Sequence, residues 1–458
     1  MRVVIAGYGM AGARLAEEIR ALDRSIAVTV VGAERHPAYN RVLLSSVVAG
    51  NMPVRSVLLH DEEWAARAEV DLRTGTSVTS IGEQLTLSDG STVDFDALVL
   101  ATGSSPVLPP VPGLAGADDV VAFRGLDDCE RIMAAERVAV LGGGLLGLEA
   151  ARGLTGRGVP VTVVHAAGHL MERQLDATAG ATLAGALGKH GIDFRIGRSA
   201  IQHRQGMGLV LDDGTSVPAD LVVVSAGTKA ETGLAEAAGI TVAGGIVIDD
   251  CLRTSDSRVY AIGDCAAHRG SFPGLVRPAW EQAAVLAKLL TGADPSARYR
   301  GTRSVTRLKA KGIDLASLGE AHTEPGAPGA EVIRLEDPSR DRYAKLVLRD
   351  DVVTGAIVLG FPDAAAAITQ LHDTGSPAPA DRIALLLGRA APPAGAAEST
   401  VVCQCNGVPR GRLVDAWRTG ARTVEDFANA TRASTGCGGC AADLLALAEL
   451  LDQESAPR

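Results

Sequence analysis

Apolar and polar positions alternate in three successive regimes along the chain. The first begins at once: RVVIA is a short apolar run ending in Gly-Tyr-Gly, which predicts a buried strand. MAGARLAEEI follows with apolar residues at helical spacing and predicts an amphipathic helix. Strand-like runs recur at IAVTVVGAE, FDALVLATG, VAVLGGG, VPVTVVH and RVYAIGDCA, and strands alternating with helical patterns predict parallel sheets. From about Pro295 the period shortens. TRLKAKGIDLASLGE, EVIRLED, YAKLVLRD and DVVTGAIVLG predict short alternating strands with turns at Pro338 and Asp350–Asp351, followed by a helix over DAAAAITQLHD. The third regime is a tail in which PRGRLVDAWRTG, TVEDFANAT and AADLLALAELL read as helices, the second opened by a threonine N-cap.

Length and composition constrain this picture. A chain of 458 residues exceeds one core and predicts about three or four domains. The expected fold class is α/β. It comprises two nested Rossmann-like dinucleotide-binding domains, a small α/β C-terminal domain and a small helical metal-binding domain. Expected boundaries are 1–115 with 245–295, 116–244, 296–374, a Pro/Ala/Gly-rich linker over 375–400 carrying one or two helical turns at DRIALLLGR, and 401–458. Net charge of −10 argues against nucleic acid or an anionic membrane as main partner. No secretory leader and no apolar run of about 18 residues is visible, and Cys129, Cys251 and Cys265 are scattered singly. A cytoplasmic protein is expected.

Two glycine fingerprints carry the first chemistry. Gly7, Gly9 and Gly12 lie between strand and helix, where they allow a tight turn, approach of a pyrophosphate and close helix–strand packing. Glu34, at the end of the next strand, is placed to accept hydrogen bonds from ribose hydroxyls. Gly142, Gly144 and Gly147 repeat the pattern. The strand that follows them ends in His165, where an acid would select the free 2′-hydroxyl of NAD. No arginine pair directly follows that strand, which leans the expectation to NADH over NADPH.

Four of the seven cysteines form Cys403-x-Cys405 and Cys437-x-x-Cys440. Two close thiolate pairs suit either a structural zinc or a small iron–sulfur cluster, although Cys₄ zinc sites more often use two C-x-x-C knuckles. Gly436, Gly438 and Gly439 leave backbone N–H groups able to approach the sulfurs, and a helix starting after Cys440 directs its positive end at them.

The order of first glycine loop, Ala101-Thr102-Gly103, second glycine loop and Gly263-Asp264 resembles the two-dinucleotide-binding-domain flavoproteins over roughly residues 1–295. The resemblance implies FAD on the first loop, with Asp264 at its ribitol and phosphates, and nicotinamide on the second. HPAYNRVLLSSVVAG resembles the flavin-contacting segment of ferredoxin-reductase-like and nitrite-reductase-like members, with Arg41 the implied contact. Many relatives have a lysine near Ser46, and this chain has none there. Glu149 resembles a residue flanking the nicotinamide, and Trp280 and Gln282 in RPAWEQA lie where the family's helix meets the isoalloxazine. The resemblance implies that the small domain covers the flavin face and often takes part in dimerisation, so a homodimer is possible. The tail frame VCQCNGV to TRASTGCGGC resembles bacterioferritin-associated-ferredoxin-like [2Fe–2S] domains, with Ser434 where relatives have glycine.

Disulfide reductases of this group carry a paired thiol beside the flavin, and others a single cysteine near Ser45. This chain has serines at Ser45 and Ser46, so electrons need another exit. The resemblance implies hydride transfer from NADH to FAD and then single electrons through the cluster to a separate catalytic subunit of assimilatory nitrate or nitrite reductase. No catalytic acid or base is assigned. The chain shows no sirohaem-type cysteine motifs before Arg458, so nitrite reduction by itself is not expected. Alternatives are the flavin and iron–sulfur subunit of an opine or amine dehydrogenase, and a redox-sensing module.

Overall fold

The computed structural model describes all residues except 272–273, 304, 390–397, 399, 404–405, 437 and 456–458. The chain resolves into two units. One comprises Met1–Val42, Pro53–Ser105 and Thr228–Thr302; the other comprises Leu43–Met52, Pro106–Gly227 and Arg303–Arg458.

The first unit is built on a five-stranded parallel sheet in the order Val259–Ala261, Ala97–Leu100, Arg2–Ala6, Ala27–Gly32, Asp71–Thr74. Central strands such as VVIA and ALVL are buried on both faces, which explains their unbroken apolar runs. Helix Met10–Leu22 buries Leu15, Ala16 and Ile19 in the same core as Val4, Ile5, Leu98 and Leu286. Leu286 comes from helix Val276–Thr291, which ends on left-handed Gly292. An antiparallel sheet of Val78–Ile81, Gln84–Leu87 and Thr92–Asp94 completes the unit's larger elements.

The second unit contains a matching parallel sheet ordered Ile192–Ile196, Val161–His165, Val138–Leu141, Leu221–Val224, Val120–Ala122. Its strands all fall in sequence between Leu100 and Val259 of the first sheet, which is the nesting expected from the motif order. Helix Leu145–Gly156 follows the second fingerprint, and Ala49 lies so near Gly153 that an added Cβ would stand 2.8 Å from it. An antiparallel sheet follows in the order Val305–Arg307, Leu315–Gly319, Val352–Leu359, Arg342–Arg349, Glu331–Asp337. The hairpin at Asp350–Asp351 has positive φ at both residues, 47° and 62°, as a tight two-residue turn between twisted strands requires.

Helix Pro362–Thr374 packs on this sheet through Ala364, Ile368 and Leu371. Ala378, Leu385 and Leu386, from the segment expected as a linker, are buried in that same core. Part of that stretch is therefore folded, because its apolar side chains are few but grouped on the short helix Arg382–Leu386. Residues 390–397 and 399 of the expected linker lie outside the described residues. The tail has helices Arg410–Arg418, Val424–Thr431 and Ala441–Ser455. Thr423 caps the second of these by accepting from Asp426 N–H, and the Asp426 carboxylate in turn accepts from Thr423 N–H. Among the described residues no helix is long and apolar enough to cross a membrane.

Candidate functional site

In the first unit the fingerprint glycines divide by role. A Cβ on Gly7 would collide with the Ala101 carbonyl and one on Gly12 with the Gly7 carbonyl, while one on Gly9 would meet nothing within 4 Å. Gly7 has φ +124°. The first and third glycines therefore hold the turn closed, and the second leaves a cradle open to a phosphate group. Tyr8, inside the loop, is fixed from below: its hydroxyl lies 2.8 Å from His60 Nδ1, and His60 Nε2 lies 2.7 Å from Glu17 Oε1. Trp64 stacks on the His60 ring at 3.6 Å. Burial pushes the Tyr8 hydroxyl up to about 12, so it stays a neutral donor.

Glu34 accepts from the Tyr39 hydroxyl at 2.7 Å and pairs with Arg41, whose guanidinium lies 4.8 Å from the Tyr39 ring centre. Burial pushes the Glu34 carboxyl up, but the Arg41 charge and the Tyr39 hydroxyl outweigh it and hold the group below its usual range. Thr102 Oγ1 donates to the Glu231 carbonyl at 2.8 Å, and Gly103 takes φ +75°. Ser104 Oγ donates to Asp264 Oδ2 at 3.0 Å, and Gly263 N–H donates to Gln282 Oε1 at 2.8 Å. Trp280 is buried, and its indole N–H donates to the Met10 carbonyl at 3.1 Å, beside the fingerprint helix.

In the second unit Gly142 and Gly147 repeat the closed turn, against the carbonyls of Ser225 and Gly142, and Gly144 repeats the open cradle. Both loops thus fit a nucleotide pyrophosphate. Glu149 is buried. Its Oε1 accepts from the Lys309 backbone N–H at 3.0 Å, and its Oε2 accepts from Ser45 Oγ at 2.7 Å and pairs with Lys309 Nζ. Lys309 Nζ also lies 3.4 Å from Ser45 Oγ. A lysine thus reaches Ser45 after all, delivered from a position 264 residues away in the chain. No local motif signals it, because the partners meet only through tertiary folding.

Cys129 and Cys265 are buried, and desolvation pushes the Cys129 thiol up to about 12 and the Cys265 thiol likewise upward. Such thiols are poor nucleophiles. In the tail Cys403 and Cys440 are both buried, while Cys405 and Cys437 lie outside the described residues. Among the described residues no group of three or more potential metal ligands gathers. Asn406 ties the two cysteine segments together: its Nδ2 donates to the Arg432 carbonyl at 2.6 Å and Thr435 Oγ1 at 3.1 Å, and lies 3.8 Å from Cys403 Sγ. The last helix opens at Cys440, whose carbonyl accepts from Leu444 N–H at 3.0 Å. A buried thiol at a helix N-terminus, that of Cys440, fits an anionic iron–sulfur cluster.

Two nested dinucleotide folds and a cysteine-bearing tail define an NAD(P)H-dependent flavoprotein oxidoreductase with FAD and a [2Fe–2S] cluster as cofactors. The chain belongs to the pyridine nucleotide-disulphide oxidoreductase family, whose model matches residues 1–284. Residues 305–371 match the rubredoxin NAD⁺ reductase C-terminal domain, and residues 401–449 match the BFD-like [2Fe–2S] binding domain.

The chain is 36% identical over 96% of its length to the nitrite reductase [NAD(P)H] of Bacillus subtilis (strain 168). It is 35% identical, again over 96% of its length, to that organism's assimilatory nitrate reductase electron transfer subunit. It spans 56% and 58% of the length of these two relatives. Among solved structures, the covalent putidaredoxin reductase–putidaredoxin complex matches with a TM-score of 0.76 and 28% identity, over 86% of this chain and 99% of that one.

Proposed function

We propose that this protein is an NADH-dependent electron-transfer subunit that supplies a separate catalytic subunit of an assimilatory nitrate or nitrite reductase. The observation that carries the reading is the joining, in one chain, of two glycine-loop nucleotide folds with a [2Fe–2S] binding tail. The alignment with an assimilatory nitrate reductase electron transfer subunit over 96% of the chain supports the choice of acceptor.

Gly7, Gly9 and Gly12 would cradle the flavin pyrophosphate, with Glu34 at the ribose and Ala101, Thr102, Gly103, Gly263 and Asp264 along the remainder. Arg41 and Trp280 border the same nucleotide. Gly142, Gly144 and Gly147 would hold the nicotinamide nucleotide, with Glu149 oriented by Lys309 and Ser45. Cys403, Cys405, Cys437 and Cys440 would ligate the cluster. When bound, the flavin supplies conversion between a hydride's electron pair and the single electrons that a cluster carries. The protein's own part is to orient, to exclude water and to hold charge, and no side chain need transfer a proton.

Anaerobic addition of NADH to the purified holoprotein tests this. Flavin bleaching followed by a rhombic EPR signal, and nitrate or nitrite reduction once the catalytic subunit is added, is expected. Stoichiometric zinc in place of iron and sulfide, or no bleaching, overturns it.

A further inference from the structure

The loop after the Val161–His165 strand is bonded back onto the middle of the second fingerprint. Gly143 N–H donates to His165 Nδ1 at 3.1 Å, and the Gly143 carbonyl accepts from Met171 N–H at 3.0 Å. A Cβ at 143 would stand 2.7 Å from Leu170 Cδ2 and 2.8 Å from His165 Cγ, so the clamp requires glycine there. Met171 adopts φ 51° to complete the fold-back.

This clamp fixes the histidine tautomer. A backbone N–H can only donate, so Nδ1 is the acceptor and the ring proton sits on Nε2. Nε2 lies 2.9 Å from the His169 carbonyl and 3.1 Å from Glu172 Oε2. His165 is buried, whereas the Glu172 side chain keeps 40% of its exposure. In a Rossmann fold the residue ending this strand reads the adenine ribose: an acid binds the 2′-hydroxyl, an arginine the 2′-phosphate. Here both nitrogens of that residue are engaged within the protein, Nδ1 by the Gly143 N–H and Nε2 by the His169 carbonyl, and a solvent-facing carboxylate lies beside it.

We propose that Glu172, placed beside His165 by the loop that the Gly143 clamp folds back, is the carboxylate that selects NADH over NADPH. It accepts from the ribose 2′-hydroxyl and repels a 2′-phosphate. Two cations flank the loop. Arg198 donates its backbone N–H to the His165 carbonyl, but its guanidinium lies 3.0 Å from Asp213 and 3.9 Å from Asp212. Arg173 is exposed, and its carbonyl accepts from His322 Nε2 at 3.0 Å. The proposal rests on the reading of the second glycine fold as the nicotinamide site.

The test is steady-state oxidation of NADH and NADPH by the full-length holoprotein with ferricyanide as acceptor, for wild type, Glu172→Gln, Glu172→Arg and Arg173→Ala. Wild type is expected to prefer NADH. Glu172→Gln should lower the NADH:NADPH ratio of kcat/KM by about tenfold or more, the loss of one charged hydrogen bond, carried mainly in the KM for NADH. Glu172→Arg should move the ratio further toward NADPH, and Arg173→Ala should leave it unchanged. An unmoved ratio in both Glu172 variants, with flavin content and Tm as in wild type, overturns the assignment. So does a wild-type preference for NADPH, or a ratio that moves with Arg173 instead. Should a variant lose flavin, Kd values for NAD⁺ and NADP⁺ binding to Glu172→Gln decide by the same ratio. A wild-type protein that oxidises neither nucleotide overturns the nicotinamide reading itself.

Discussion

Glu149 and Lys309 are 160 positions apart, yet the carboxylate takes two bonds from that one lysine, through its backbone and its ammonium. Removing only the cation leaves a buried carboxylate with the Ser45 hydroxyl and one N–H. Lys309→Met is therefore expected to cost about 3–5 kcal/mol of unfolding free energy, and adding Glu149→Gln should restore much of it. Denaturant unfolding of both variants measures this, and a single-variant loss below about 0.5 kcal/mol would show that the pair is not coupled to stability.

The glycines give a sharper contrast. Gly142→Ala forces a Cβ into the Ser225 carbonyl and should lower Tm, whereas Gly144→Ala points into open space. The latter should leave Tm within a few degrees of wild type yet weaken NADH binding at least tenfold, as nucleotide titration would report. The fingerprints were legible because their glycines are demanded by local backbone geometry. Lys309, and the bonding of His165 to Gly143, were not, since each depends on where a distant segment lands.

At the level of elements, Asp176 performs two tasks. Its Oδ1 accepts from Ala179 N–H to cap helix Ala177–Gly188, and its Oδ2 accepts from the Tyr343 hydroxyl at 2.6 Å and lies 3.1 Å from Lys345 Nζ. Lys345 is fully buried on the strand Arg342–Arg349. Burial pushes the Asp176 carboxyl up, but these donors and the lysine charge hold it below the ordinary carboxylate range. A depressed folded-state pKa means that the group's contribution to stability is complete at neutral pH and fades as pH falls through the folded value.

Asp176→Ala, which leaves the buried Lys345 charge with Glu324 alone at 3.3 Å and removes the cap, should destabilise by about 3 kcal/mol, and Asp176→Asn by less because the cap survives. Unfolding measured from pH 7 down to pH 3 should show the wild-type advantage over Asp176→Asn shrinking. An advantage independent of pH would contradict the paired carboxylate. The sequence showed Asp350–Asp351 as a turn because polar pairs between apolar runs are local signals. The helical turn at DRIALLLGR was legible too, as Arg382–Leu386, but the docking of Leu385 and Leu386 into the small-domain core was not, since two leucines do not signal their partner.

For the whole molecule, the expected chain of cofactors predicts a clean separation of functions. Cys403→Ser or Cys440→Ser should abolish the cluster's EPR signal and its iron, while NADH still bleaches the flavin, because the nucleotide folds carry their own cores. Loss of bleaching in these variants would show that the tail also supports the nucleotide sites. The nesting of one parallel sheet within the other was legible from motif order alone. The bonding of Asn406, beside Cys403, to Arg432 and Thr435 was not, since it depends on where the two cysteine segments meet.

Nesting also imposes an order in time. The strand Val259–Ala261 closes the edge of the first sheet against Ala97–Leu100, and Gly263 and Asp264 follow it directly. All five strands of the second parallel sheet are translated in the interval between those partners, roughly 10–30 s of synthesis. A nascent chain arrested before Val259 therefore holds every strand of the second parallel sheet, but a first sheet that still lacks its edge strand and the Gly263–Asp264 turn after it. On the proposed assignment of the flavin to the first fold, flavin retention becomes a timestamp: it would mark chains whose translation has passed Asp264.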